Sequence, residues 1–172
     1  YLPTTKQEQY TKQLMLDFID QHPNCLERSC GFGHFTASAW LLNRQEDKVL
    51  MMHHRKLERW LQLGGHCDGD ADILAVAIKE AEEESGLSGI KPLSKQIFDI
   101  DRHRVPARKH EPAHWHFDVR FLLRYDGQDS DICGNSESKE LRWCSPNLEK
   151  FPSSDQSVMR MYKKWCDRRV TA

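Results

Sequence analysis

Between residues 4 and 20, Tyr10, Leu14 and Phe18 recur every four positions, the repeat of one apolar helix face. Thr4 and Gln7 stand at capping-box spacing at its start, and His22-Pro23-Asn24 ends it. After Gly31 and Gly33 the pattern changes. Residues 35–43 and 49–52 read as strands around the polar turn Arg44-Gln45-Glu46-Asp47, which predicts a hairpin over 35–52. Trp60-Leu61-Gln62-Leu63 is a third apolar piece running into Gly64-Gly65. A helix is predicted from about Asp72 to Ser85, with Asp72 as N-cap and Gly86 at the C-cap. Phe98-Asp99-Ile100 reads as a short strand. The clearest strand is 114–124, where Trp115, Phe117, Val119, Phe121 and Leu123 share one face. Leu141 and Trp143 suggest another strand, and Val158, Met161, Tyr162 and Trp165 give a closing helix. Strands in the middle with helices between and at the ends predict an α/β or α+β fold with a mixed sheet.

A chain of 172 residues is one domain in size, read as an N-terminal helix and linker over 1–30 and a domain over 31–172. A net charge of −1 gives no pull toward nucleic-acid polymers or membrane surfaces. No apolar run approaches the 18 or so residues of a membrane span. Six cysteines, at 25, 30, 67, 133, 144 and 166, invite a disulfide reading. Without a signal peptide at the start, reduced thiols and a cytoplasmic location are expected instead. Cys25 and Cys30 have no second pair at zinc-ribbon spacing.

Residues 79–84 read Lys-Glu-Ala-Glu-Glu-Glu. On a helix, Glu80, Glu83 and Glu84 fall within about 100° of one another, apart from the apolar stripe of Leu74, Ala77, Ile78 and Ala81. Local energetics oppose this arrangement. Glu80 and Glu84 repel at i, i+4, and all three crowd the helix end where the macrodipole disfavours anions by roughly 0.3–1 kcal/mol each. A solvated acidic face is the plain reading, but such faces normally mix signs. Rule-breaking of this kind tends to mark functional sites, and converging carboxylates suit a hard divalent cation such as Mg²⁺ or Mn²⁺.

The segment from Gly65 to Leu87 resembles the Nudix box, G-x5-E-x7-R-E-U-x-E-E-x-G-U, where U is a bulky apolar residue. Gly65, Glu80, Glu83, Glu84, Gly86 and Leu87 fall on their positions. Ala71 stands in place of the first Glu, Lys79 in place of the Arg, and Ala81 is smaller than usual. The usual Glu–Arg pair therefore cannot form, and Asp70 or Asp72 is expected to pair with Lys79 instead. The resemblance implies a Nudix-type α/β/α sandwich around a mixed sheet and a metal-dependent diphosphate hydrolase. It also implies that Glu80, Glu83 and Glu84 coordinate Mg²⁺ or Mn²⁺, with the Gly65 carbonyl as a further ligand.

Around this helix, Arg102, His103, Arg104, Arg108, Lys109 and His110 form a basic stretch between two strands. Either it is a solvated loop or it clamps a polyphosphate, and Arg102 and Arg104 are the favoured residues. His114, His116, Asp118 and Arg120 occupy the polar face of the 114–124 strand, and the His pair alone is weak evidence for zinc. Nudix proteins often recruit a Glu outside the box as ligand or base. Glu111 fits by chain order, followed by His116 and His66. Glu83, Glu84 and Glu111 are thus the expected catalytic residues, and Arg102, Arg104 and His116 the expected substrate contacts.

Isopentenyl-diphosphate isomerases of the same superfamily are the alternative. The segment beginning at His34 is similar to their first strand, and His66 and Glu111 fall near further positions. Cys67, however, follows His66, and Gly64 stands where their Cys belongs. A non-catalytic diphosphate-binding module is the other alternative, allowed by Ala71 and Lys79. The expected partner is a small-molecule diphosphate of nucleoside-diphosphate type, with the oligomeric state open, a homodimer included.

Overall fold

The computed structural model describes residues 1–108 and 112–171. Its centre is β1 (Gly33–Leu42), a strand buried along its whole length. Burial on both faces explains the near-continuous apolar run at its end, as in strands covered by helices on each side. Along one edge, β1 runs parallel to β6 (His114–Arg124) from Gly33↔Trp115 to Leu42↔Arg124. β5 (Lys91–Val105) pairs antiparallel with β6 and closes that side of the sheet.

The other edge of β1 is divided. β4 (Leu63–His66) occupies it from Thr36 to Ala39, and β2 (Val49–His54) meets it only at Leu42↔Val49. The hairpin expected over 35–52 therefore splays after one pair, because β2 turns away to pair with β3 (Arg59–Leu61) and β7 (Ser138–Cys144). The described residues thus form a seven-stranded mixed sheet.

Helices α1 (Lys6–Gln21) and α2 (Ile73–Ser85) cover one face. Val76, Ala77 and Ala81 of α2 pack in one core cluster with Phe35, Ala37, Ala39, Phe117 and Val119. Small residues on β1 let α2 sit close, and Phe18 of α1 stacks on Phe117 with centroids 4.1 Å apart. α3 (Gln156–Thr171) covers the other face, where Val158, Met161 and Trp165 pack against Trp40, Leu42 and Leu122. This is the expected α/β/α sandwich. Among the described residues no helix is long and apolar enough to cross a membrane.

Two expectations need correction. The N-cap of α1 is Thr5, whose hydroxyl accepts from the Glu8 amide at 3.2 Å, not Thr4 with Gln7. Glu8 reaches back and accepts from the Thr4 amide and hydroxyl at 2.7 and 2.9 Å. The short strand at 98–100 is in fact the 15-residue β5. Its length was hidden because Asp99 and Asp101 face a buried polar layer rather than an apolar one.

That layer centres on Arg120, which is 1% exposed. Its guanidinium lies 2.7, 3.0 and 3.4 Å from Asp118, Asp99 and Asp101. From α3, Arg160 reaches Asp99 and Asp101 at 2.8 and 2.9 Å, and Lys164 reaches Asp99 and Glu8 at 2.7 and 2.8 Å. These ion pairs join α3 to the β5 edge and to α1.

Candidate active site

Asp72 starts α2 by accepting the Ala75 amide at 3.0 Å, and Gly86 ends it in the left-handed conformation at φ 72°. Between these caps the helix delivers its carboxylates to β4. The Glu84 carboxylate accepts the Gly64 amide at 2.8 Å and is itself 4% exposed. Glu80 lies directly over Gly65: a Cβ built there would stand 2.2 Å from Glu80 Oε2. Glycine at 65 is therefore what allows the Glu80 side chain its position. Gly65→Ala is expected to push this flexible carboxylate aside, costing metal affinity far more than melting temperature. A metal titration alongside a melt would show this, and an unchanged affinity would refute it.

Glu83 is exposed and pairs with Lys79 at 3.8 Å, one helical turn away. The expected partners of Lys79 are engaged elsewhere, since Asp72 caps the helix and Asp70 accepts the Asp72 amide at 2.9 Å. The loop before α2 is instead held by a two-pronged pair of Arg28 with Asp68, at 2.5 and 2.7 Å. Glu82 points away from this group and accepts the amides of Gly89 and Ile90 at 2.7 and 3.1 Å, tying down the turn after the helix.

Burial pushes the Glu84 carboxyl up to about 8, against the Gly64 hydrogen bond and with help from the charges of Glu80, Glu137 and Glu83. Burial and the Glu83 charge also raise Glu80. Glu137, in the turn before β7, is a member of this anionic group that sequence reasoning missed. It lies 53 positions beyond Glu84, as 137 − 84 shows, so no spacing in the chain could reveal it. A hard divalent cation would relieve this crowding, and the all-oxygen donor set fits one.

The pH dependence of the metal-free protein follows. A raised carboxyl favours the fold while protonated, so this contribution is complete below its ordinary value of 4.5 and lost as pH rises through about 8. Glu8 acts in the opposite sense. Burial alone would raise it, but hydrogen bonds from Lys164 and Thr4 hold it down at about 2, so its stabilisation is lost as pH falls toward that value. Melting temperature in chelator is expected to fall between pH 5 and 8, and saturating Mg²⁺ to flatten that slope. A metal-free slope of the opposite sign would contradict this.

The remaining expected residues divide between the two faces of the sheet. The Arg102 guanidinium lies 3.5 Å above the Trp115 ring, and Arg104 pairs with Trp115, so both are on the α1/α2 side of β5. His116 is on the α3 side, facing His34 and His103. The structure therefore does not bring Arg102 and His116 together. Glu111, like Lys109 and His110, lies outside the described residues. Clefts around Arg44, Arg124 and Asp126 lie beyond Leu42, past the end of the β1–β4 pairing that holds Gly65. Cys67 packs in the core under α2, and burial, then nearby aspartates, push its thiol up to about 12. It offers an isomerase neither an accessible position nor a usable acid. All six cysteines are unpaired.

The NUDIX domain matches residues 33–165. The chain is 31% identical over 125 residues to a probable DHNTP pyrophosphohydrolase of Lactococcus lactis, covering 72% of this chain and 70% of that protein. Among solved structures it superposes on a C. elegans Ap4A hydrolase with a TM-score of 0.64 and 14% identity, over 80% of this chain and 98% of the other. The E. coli dihydroneopterin triphosphate pyrophosphohydrolase gives 0.55 at 11% identity, over 78% and 95%. The chain belongs to the Nudix family. It is a Nudix-type diphosphate hydrolase, of a family that generally depends on divalent cations.

Proposed function

We propose that the substrate is a small nucleotide-type diphosphate or triphosphate, opened by water attack at phosphorus in the presence of Mg²⁺ or Mn²⁺. The observation that carries this reading is the buried Glu84 carboxylate, pinned by the Gly64 amide beside Glu80 and Glu83. Glu80, Glu83 and Glu84 would hold the cation, with the Gly65 carbonyl completing the protein ligands. Bound there, the cation supplies charge neutralisation at phosphate oxygens and an acidified water.

The protein's own groups divide the remaining work. Glu83, the exposed member, is proposed to accept the water's proton together with Glu84 or Glu111, and Glu137 adds to the anionic field. Arg102 and Arg104 are proposed to meet substrate phosphates from the helix side of β5, and His116, on the opposite face of the sheet, is left out of that contact. Small molecules rather than nucleic-acid polymers or membranes are the proposed partners, in keeping with the net charge of −1. Six unpaired thiols suit a reducing compartment, so we assign the chain to the cytoplasm.

The relatives supply the compounds to try: dihydroneopterin triphosphate and diadenosine tetraphosphate, beside the nucleoside triphosphates. With Mg²⁺ or Mn²⁺, at least one is expected to release a phosphate product, and chelator should abolish it. Failure of every compound at every metal concentration would sink the proposal.

A further inference from the structure

On the sheet face turned away from α2, β1 and β6 bring three imidazoles together. His34 and His116 are direct neighbours across the parallel ladder, and His114 lies two positions along the same strand, so all three project to one side. One ring nitrogen from each lies within 4.8 Å of the others. Rings of His34, His114 and His116 are 4.8–5.0 Å apart by centroid, and His66 stands 5.0 Å from both His34 and His116.

We propose that His34, His114 and His116 form a second metal site, distinct from the box glutamates, for a borderline divalent transition cation of the zinc class. Bonds of about 2.0–2.1 Å at a tetrahedral centre set ligand nitrogens roughly 3.4 Å apart. The Nε2 atoms of His114 and His116 are already 3.1 Å apart, and small side-chain rotations bring the third nitrogen in from 4.8 Å. His114 Nδ1 lies 2.9 Å from the Pro112 carbonyl oxygen. A carbonyl can only accept, so Nδ1 carries the hydrogen, which leaves Nε2 as the nitrogen of this ring able to offer a lone pair to a cation. A ring anchored through its other nitrogen to a carbonyl is the usual way a metal-binding His is held.

The donor set also separates this site from the box. Imidazole nitrogens select zinc, copper or nickel, whereas carboxylate and carbonyl oxygens select magnesium or manganese. The nearest carboxylate along β6, Asp118, is committed to Thr36, Ser38 and Arg120. Among the described residues the three imidazoles add no negative charge to the cation, and His66 or a ligand oxygen can take the fourth position. Both strands are rigid core elements, so the ligands are preorganised rather than gathered from loops.

The test uses the full chain without an affinity tag, stripped of metal and titrated with Zn²⁺ and Co²⁺ in excess Mg²⁺. One equivalent is expected to bind, with the strong visible absorption of tetrahedral Co²⁺ and no thiolate charge-transfer band. Glu80→Gln/Glu84→Gln should keep this binding, which separates it from any failure of the box. His116→Asn, half-buried in the parent, and His114→Gln should each weaken it by at least about 100-fold, the upper range for losing even an outer-shell partner. Circular dichroism establishes that each variant is folded; should His114→Gln not fold, His116→Asn decides alone. Zinc uptake that vanishes in the box variant, survives both histidine changes, or fails to occur in the parent would overturn the site.

Discussion

Glu84→Gln is expected to lower kcat/KM by roughly 10²–10³-fold or more, the scale for losing a preorganised charge at a reacting phosphate. Glu83→Gln should do the same. Glu82→Gln should leave turnover nearly intact, because Glu82 faces the Gly89 and Ile90 amides and an amide oxygen can still accept from them. Stability should move independently of activity. Glu84 is buried among like charges with its carboxyl raised to about 8, so a neutral, nearly isosteric side chain removes a penalty while keeping the Gly64 hydrogen bond. In chelator, Glu84→Gln should melt no lower than the parent at pH 8, and Mg²⁺ should raise the parent's melting temperature more. Equal damage from Glu82→Gln and Glu84→Gln, or equal metal shifts, would contradict this assignment.

Arg120→Met is expected to be the most destabilising single change of those considered. The guanidinium is buried between Asp99, Asp101 and Asp118, and its removal takes away the cation all three share, while Arg160, Lys164 and His103 still reach Asp99 or Asp101. Breaking a buried ion pair from one side costs about 3–5 kcal/mol, equivalent to roughly 6–20 °C in a domain of this size. Adding Asp99→Asn to Arg120→Met should recover part of the loss, because one buried anion is then gone. A single variant melting within about 2 °C of the parent would show that the network contributes little.

The box was legible because its chemistry lies within one helix, where 3.6-residue geometry alone gathers Glu80, Glu83 and Glu84. The sandwich was legible because Phe117, Val119 and Phe121 alternate as a half-apolar strand must. What stayed hidden depended on pairing between distant segments. His114 and His116 showed their shared face, but their third partner, His34, is some 80 residues away and becomes visible only through the parallel β1–β6 register. β5 looked short because Asp99, Asp101 and His103 meet Arg120 and His116 across the ladder, a polar layer that hydrophobic patterning cannot register. Lys79 was expected to reach back to the loop, whereas it pairs with Glu83 on its own helix.

Hydrolysis in oxygen-18 water tests the central claim most directly. With a turned-over diphosphate and Mg²⁺, the label is expected in a phosphate-containing product, in the parent and in Glu82→Gln, and its incorporation should stop in chelator and in the Glu83→Gln/Glu84→Gln double variant. Product that carries no label on phosphorus, or labelled product formed at the parent's rate by the double variant, would contradict the account.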